Sequence, residues 1–297
     1  MSAHASSLVL LNPQAGRGRA VALLPLLHEA VNRFPGASLA VTASPDEAAD
    51  HVAMLPPASR VVVVGGDGSV NRLLPLLRAG GHILGLVPAG SGDDGARALG
   101  LRGWPAARAL DHALRAPASG VDLGEARSEQ GSRLFLSSLC AGFDAATAER
   151  AARMPRGLGG LRYLAATLAE IARLRLHEVD IEVDGRPLSS GPHLFVSSLN
   201  TATYGAGMPV VPAARIDDGQ LDLLCAGRFG RAGALAMLPR LLLGRHLGHP
   251  RVQTRRFRQL HLRAARPLPL AADGEPMAAV SELRVVVLHG ALRVVRA

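Results

Sequence analysis

A chain of 297 residues, 48% of them hydrophobic, is long for one core and comfortable for two. No run approaches the roughly 18–20 apolar residues that a membrane-spanning helix needs, and the first residues lack the basic flank of a secretory signal, so a cytoplasmic protein is expected. The net charge of +9 rests on arginine alone, because the chain contains no lysine; this excludes a Gly-Lys-Ser/Thr phosphate loop, a protein-kinase strand lysine and Schiff-base chemistry.

In chain order, Leu8–Leu11 reads as a buried strand, Arg19–Phe34 as a helix with Leu23, Leu27 and Val31 on one face, and Ser38–Thr42 as a second strand. Asp46–Met54 is a helix opened by Ser44-Pro45. Arg60–Val64, with four valines, has the composition of a strand covered on both faces. A helix at Asn71–Arg78, a strand at Ile83–Val87 and helices at Asp93–Ala98 and Pro105–Arg115 follow. This alternation predicts a doubly wound α/β domain with a mostly parallel sheet. Near Gly120 the character changes. Strand-like segments at Leu134–Leu139, Val179–Val183, Leu194–Leu199, Leu221–Ala226, Gln259–Ala264 and Leu283–Leu288 are punctuated by Asp184-Gly185, Asp218-Gly219 and Asp273-Gly274. Helices at Gly159–Leu176 and Ala232–Gly244 interrupt them. The expected division is an α/β domain over residues 1–124 and a mainly antiparallel β-sandwich domain over 125–297.

Three glycine-rich segments follow strands of the first domain and open helices: Asn12-Pro13-Gln14-Ala15-Gly16-Arg17-Gly18, Gly65-Gly66-Asp67-Gly68-Ser69 and Pro88-Ala89-Gly90-Ser91-Gly92-Asp93-Asp94. Open α/β sheets bind ligands at the carboxyl ends of their strands. Glycine lets the backbone approach a phosphate closely, and the helix behind each loop adds partial positive charge. Any one such loop is usually only a turn; three together point to a nucleotide site. Asp67 and Asp94 would repel a bare anion, so they imply either a Mg²⁺ shared with the phosphates or a carboxylate that steers a hydroxyl proton. Only 3% of the residues are aromatic, which argues against base stacking and a nucleic-acid partner. Cys140 and Cys225 stand apart, with no disulfide or zinc spacing.

Gly65-Gly66-Asp67-Gly68-Ser69-Val70-Asn71, with Asn12-Pro13 before it and Gly90-Ser91-Gly92-Asp93-Asp94-Gly95-Ala96-Arg97 after it, resembles the catalytic domain of the diacylglycerol kinase family, and most closely its bacterial soluble lipid kinases. The resemblance runs on through Ala141-Gly142-Phe143-Asp144-Ala145, Tyr204-Gly205-Ala206-Gly207, Pro212 to Asp222 and Asp273-Gly274-Glu275, and so covers nearly the whole chain. It implies an NAD kinase/diacylglycerol kinase-like fold and ATP and Mg²⁺ as cofactors. Asn12, Pro13, Gly16, Thr42, Gly65 to Asn71, Gly90 and Ser91 would then hold the nucleotide, with Asp67 associated with the magnesium. Glu275 matches the family's proton acceptor, with Asp273 competing for that role and Asp94 and Asp122 in support. The segment Arg215–Gln220 resembles a second, structural magnesium site, with Asp218 as side-chain ligand and the backbone carbonyls of Arg215 and Gln220 beside it. The chain departs from the family pattern at Arg72, where glutamate is usual, at Asp93, where asparagine is usual, and at Ser69 and Ser91, where threonine is common.

The resemblance implies transfer of phosphate from ATP to a hydroxyl of a diacylglycerol-like lipid, in a cleft between the domains. Basic amphipathic segments around Leu161–Ile171 and Arg228–Arg258 are consistent with peripheral contact at the inner membrane face or with ordinary packing of helices on a sheet. A homodimer is compatible with the sequence. The rival readings are a soluble small-molecule kinase of the NAD kinase type and a non-catalytic nucleotide- or lipid-binding relative.

Overall fold

A computed structural model describes residues 6–90, 92–154, 161–205 and 207–297. The chain divides into two compact units, one running to Asp122 and completed by His289–Ala297, the other comprising Leu123–Leu288.

In the first unit, strands β1 (Ser7–Leu11), β2 (Ala37–Val41), β3 (Arg60–Gly65) and β4 (Ile83–Pro88) form a parallel sheet in the order β4-β3-β1-β2. Val9 lies opposite Val62, and Val62 opposite Gly85. Alternate residues of these strands face opposite layers. Val9, Leu11, Val62, Val64 and Val87 pack against helices α1 (Leu24–Arg33) and α5 (Ala106–Arg115). On the other side α2 (Pro45–Ala53) packs against α3 (Asp67–Ala79), which lies against β3, while the short α4 (Asp94–Ala98) follows β4. The four-valine strand is therefore covered on both faces, as its composition predicts.

Two differences from the sequence reading have local causes. The expected helix over Arg19–Phe34 is a 3-10 stretch, Ala15–Leu23, followed by α1; Pro25 sits in the first turn of α1, where its missing N–H costs nothing. Helix α3 begins at Asp67, not at Asn71, so most of the Gly-Gly-Asp-Gly-Ser segment is its first turn.

The second unit is antiparallel. Its strands include β5 (Ala118–Ser128, entering from the first unit), β6 (Gly131–Phe135), β7 (Ser138–Gly142), β8 (His177–Val183), β9 (Arg186–His193) and β10 (Phe195–Leu199). The short pair β11 (Thr203–Tyr204) and β12 (Met208–Pro209) precedes β13 (Leu221–Ala226), β14 (Val252–Phe257), β15 (Gln259–Ala272) and β16 (Glu275–Val295). Helices α6 (Phe143–Arg153), α7 (Leu161–Ala172) and α8 (Arg231–Leu242) accompany them. The strand order is β14-β13-β10-β7-β15-β16, with β8 and β9 continuing from β15 and with β5 and β6 joined through β16. Strand β15 changes partner along its length: Leu260–Ala264 pair with β8 and Leu270–Ala272 with β7. The register against β16 shifts between Arg263 and Leu268 and again before Leu270, where Pro267 and Pro269 interrupt the ladder. This is how one strand serves both layers of a sandwich, whose core holds Phe135, Ile181, Leu223, Phe257, Leu262 and Leu283.

The single strand expected over Leu134–Leu139 is instead β6 and β7, because the amides of Leu136 and Ser137 go to the Asp273 carboxylate and not to a ladder. Helix α6 and strands β5, β9 and β14 have no counterpart in the sequence reading. The last residues, expected in the second domain, return to the first: Arg293 and Val294 pair in parallel with Ile83 and Leu84 of β4. Among the described residues no helix is long and apolar enough to cross a membrane.

Gly124 lies opposite Phe135, and a Cβ at Gly124 would fall 2.0 Å from the ring. Replacing Phe135 with Ala is expected to destabilise the second unit by about 3–5 kcal/mol, read as a lower urea midpoint. An unchanged midpoint would mean that this ring does not fill the core.

Candidate functional site

The three glycine-rich loops form one surface. Gly65 lies opposite Pro88 on neighbouring parallel strands, so the chains leaving β3 and β4 run side by side. A Cβ at Gly66 would lie 2.9 Å from the Gly90 Cα, and one at Gly90 would lie 2.7 Å from the Gly66 Cα. No side chain fits between them. The first loop joins through Gly16, which has φ of 59° and whose Cβ would meet the Ala89 carbonyl at 2.6 Å. Asn12 completes the link: its amide side chain donates to the Ser69 hydroxyl at 2.9 Å, and its Oδ1 accepts from the Gln14 amide at 2.9 Å. Pro13 and Gly68 are half-buried beside these contacts, and Val70 and Asn71 are buried in α3. Ser91 lies outside the described residues.

Asp67, at the start of α3, accepts from the Asp94 amide at 3.0 Å and the Gly95 amide at 2.9 Å. Its carboxylate thus caps the first turn of α4. Each oxygen retains a lone pair, so a cation can still be met there. Asp93, with φ of 52°, accepts from the Gly90 amide at 3.0 Å. Burial first, and then the neighbouring Asp67 charge, push the Asp93 carboxyl up to about 6. Asp94 is buried, with Arg97 at 3.9 Å. Arg72 is exposed on α3. Thr42 is buried just past β2, and its amide donates to the Leu11 carbonyl at 3.0 Å. Asp122, fully buried on β5, accepts from His289 Nδ1 and from the Gly290 amide, both at 2.7 Å. It ties the returning end of β16 into the first unit.

In the second unit Asp273-Gly274 is a two-residue hairpin between β15 and β16, with φ of 47° and 82° as a type I′ turn requires. The Asp273 carboxylate accepts from the amides of Leu136, Ser137 and Ser138 at 2.9, 2.7 and 3.0 Å. Glu275 is half-buried at the start of β16, and its side chain makes no hydrogen bond or ion pair among the described residues. In the Arg215–Gln220 loop, Asp218 Oδ1 accepts from the Gln220 amide at 3.1 Å and Oδ2 is bound by Arg256. That carboxylate already has a cation, so the loop does not fit the expected structural magnesium.

One buried network joins two of the resembling motifs, to whose residues the sequence assigned no role. Asp144, in the first turn of α6, accepts from Tyr204 at 2.8 Å and Ser197 at 3.1 Å. Burial pushes its carboxyl up to about 6, against the pull of those two hydroxyls. The signal for it is an acid straight after Gly142-Phe143, at a strand-to-helix junction. An open groove of about 400 Å³ on α5, lined by Trp104, Arg108, Asp111, His112 and Arg115, contains none of the predicted site residues.

The raised Asp93 carboxyl makes a signed prediction. Its folded value lies above its unfolded one, so its contribution favours folding at low pH and is lost as pH rises from about 4 through about 6. In nucleotide-free protein, Asp93→Asn keeps a side chain tolerated at positive φ and removes that loss. Thermal melts should show the variant gaining on the wild type near neutral pH but not at about pH 4; an equal gain at both would sink this account.

Comparisons with known proteins show the family and the fold. The profile described as "Diacylglycerol kinase catalytic domain" matches residues 6–126, and the one described as "YegS C-terminal NAD kinase beta sandwich-like domain" matches residues 137–296. A diacylglycerol kinase of Mycobacterium tuberculosis is 30% identical over 275 residues, covering 90% of this chain and 87% of the relative. A Pseudomonas fluorescens protein named "Probable lipid kinase YegS-like" is 32% identical over 240 residues, covering 80% of this chain and 77% of its own length. A crystal structure of a diacylglycerol kinase from Bacillus anthracis superposes with a TM-score of 0.75 at 20% identity, covering 100% of this chain and 99% of the other, which supports the fold. With both halves matched and the kinase loops assembled, the chain belongs to the diacylglycerol kinase and YegS-like lipid kinase family.

Proposed function

We propose that this protein is an ATP-dependent lipid kinase that phosphorylates a hydroxyl of a diacylglycerol-like lipid. One observation carries the reading: Gly66 and Gly90 are in backbone contact while Asn12 bonds to Ser69, so the backbone of the three glycine loops and the α3 N-terminus converge on one surface. Such a surface suits phosphate oxygens, since the helix end adds partial positive charge and no Cβ blocks approach. Bound there, ATP with Mg²⁺ would supply the transferable phosphoryl group with its charge partly neutralised. Asp67 would meet the magnesium through its remaining lone pairs while holding α4 in place. Mg²⁺ commonly takes only one or two carboxylates besides phosphate oxygens, so a single aspartate is enough protein ligand for that role.

Between Asp273 and Glu275 as proton acceptor, hydrogen bonding favours Glu275. Asp273 holds three backbone amides, and giving them up would open the β6–β7 junction. Glu275 has no such duty. We assign Glu275 the acceptor hydroxyl's proton and Asp273 the positioning of the hairpin that carries it. The lipid side rests on α7 and α8, which pack on one another and expose Tyr163, Leu164 and Leu168, and Leu235 and Leu242, with Arg162, Arg231 and Arg240 on the same helices. Apolar side chains beside arginines suit an anionic membrane surface. A soluble acceptor of the NAD kinase type would leave those leucines without a purpose.

Labelled ATP incubated with a total lipid extract should yield a phosphorylated lipid; transfer to NAD and to no lipid would replace this reading. Glu275→Gln is expected to lower kcat by about 10²- to 10⁴-fold with an unchanged melting temperature. Asp273→Ala should instead lower the melting temperature, because three amides lose their acceptor. An active Glu275→Gln enzyme would remove the assignment. In sedimentation, vesicles containing anionic lipid should carry down the wild type more than Leu164→Ser/Leu242→Ser; equal partitioning would place the acceptor's entry elsewhere.

A further inference from the structure

We infer that in this chain the guanidinium of Arg256 stands where the family resemblance implies a structural magnesium ion, so that the Arg215–Gln220 loop is held without a divalent cation. Asp217, Asp218 and Asp222 lie close together in sequence around the turn at Gly219, where φ is 73°. Such a concentration of negative charge needs a counter-charge. Two arginines supply it. Arg215 reaches Asp217 Oδ1 with Nε at 3.4 Å and Nη2 at 3.3 Å. Arg256 comes from β14, directly opposite Asp222 in the β13–β14 ladder, and binds Asp218 Oδ2. The other Asp218 oxygen takes the Gln220 amide. Magnesium demands a nearly octahedral set of oxygens at about 2.0–2.1 Å and gives up water reluctantly. A divalent ion at Asp218 would have to displace a guanidinium that is permanently charged, or sit beside it against like-charge repulsion.

Nucleotide-free protein separates this inference from the kinase reading, because only stability is read. Wild-type melts in excess EDTA and in millimolar MgCl₂ should superimpose. The Arg256 side chain is 51% exposed, so its pair with Asp218 is of the modest kind. Arg256→Gln should accordingly melt about 1–3 °C lower in EDTA and recover in millimolar MgCl₂, as the freed Asp218 takes up the ion. Arg256→Gln with Asp218→Asn should not recover. Arg256→Lys, which keeps the charge, should fold and stay insensitive to magnesium. A wild type that melts lower in EDTA than in magnesium overturns the inference. So does an Arg256→Gln protein that neither loses stability nor responds to magnesium, or recovery in the double variant.

Discussion

The contact between Gly66 and Gly90 is the constraint on which the first unit's chemistry depends. Adjacent parallel strands lie only about 4.8 Å apart, and β3 and β4 end level with one another, Gly65 opposite Pro88. The segments leaving them must meet. Because a Cβ on either glycine would fall within 3 Å of the other's Cα, only hydrogen fits there. The approach leaves no room for a Cβ between the two loops, and it brings the start of α3 beside the start of α4. Asp67 then bridges the two helices through the amides of Asp94 and Gly95. The same crowding raises the proton affinity of Asp93, whose charge is buried beside that of Asp67. On a surface suited to a polyanion and its cation, this one carboxylate holds its proton more tightly than usual.

The acids of the recognisable motifs prove to be backbone ligands as much as chemical groups. Asp67 caps α4, Asp122 fastens the return of β16 through Gly290, and Asp273 gathers three amides at the break between β6 and β7. Asp184 does the same in the other Asp-Gly hairpin, accepting from the amides of Arg258 and Gln259. Aspartate suits this role because its short side chain places two oxygens within reach of a neighbouring strand at little entropic cost. Asp144 differs in accepting from two side-chain hydroxyls, and Glu275 makes no such contact among the described residues. The loop at Asp218 follows the same economy, with an arginine completing what a bound ion would otherwise do.

Much of the fold was legible. Four valines in Arg60–Val64 announced a strand covered on both faces, and the Asp-Gly pairs at 184 and 273 announced hairpins, because only a few residues accept positive φ in succession. The strand-helix alternation up to Arg115 was equally readable. What escaped had specific causes. Helix α6 carries alanines and polar residues with little apolar periodicity, and β14 is a run of polar and basic residues, so neither shows a hydrophobic pattern. The break between β6 and β7 depends on a carboxylate more than a hundred residues away in sequence. The return of His289–Ala297 to the first unit depends on β4 offering an unpaired edge.

By itself, then, the sequence determined the class of the two units, the glycine requirement of the three loops and the family to which the chain belongs, because glycine requirements, apolar periodicity and motif order are local properties. Only the tertiary structure decided which acids are committed to backbone amides, which one is left uncommitted, and which cation answers Asp218. Those outcomes turn on distances of about 3 Å between residues far apart in the chain, and no local pattern encodes such a distance.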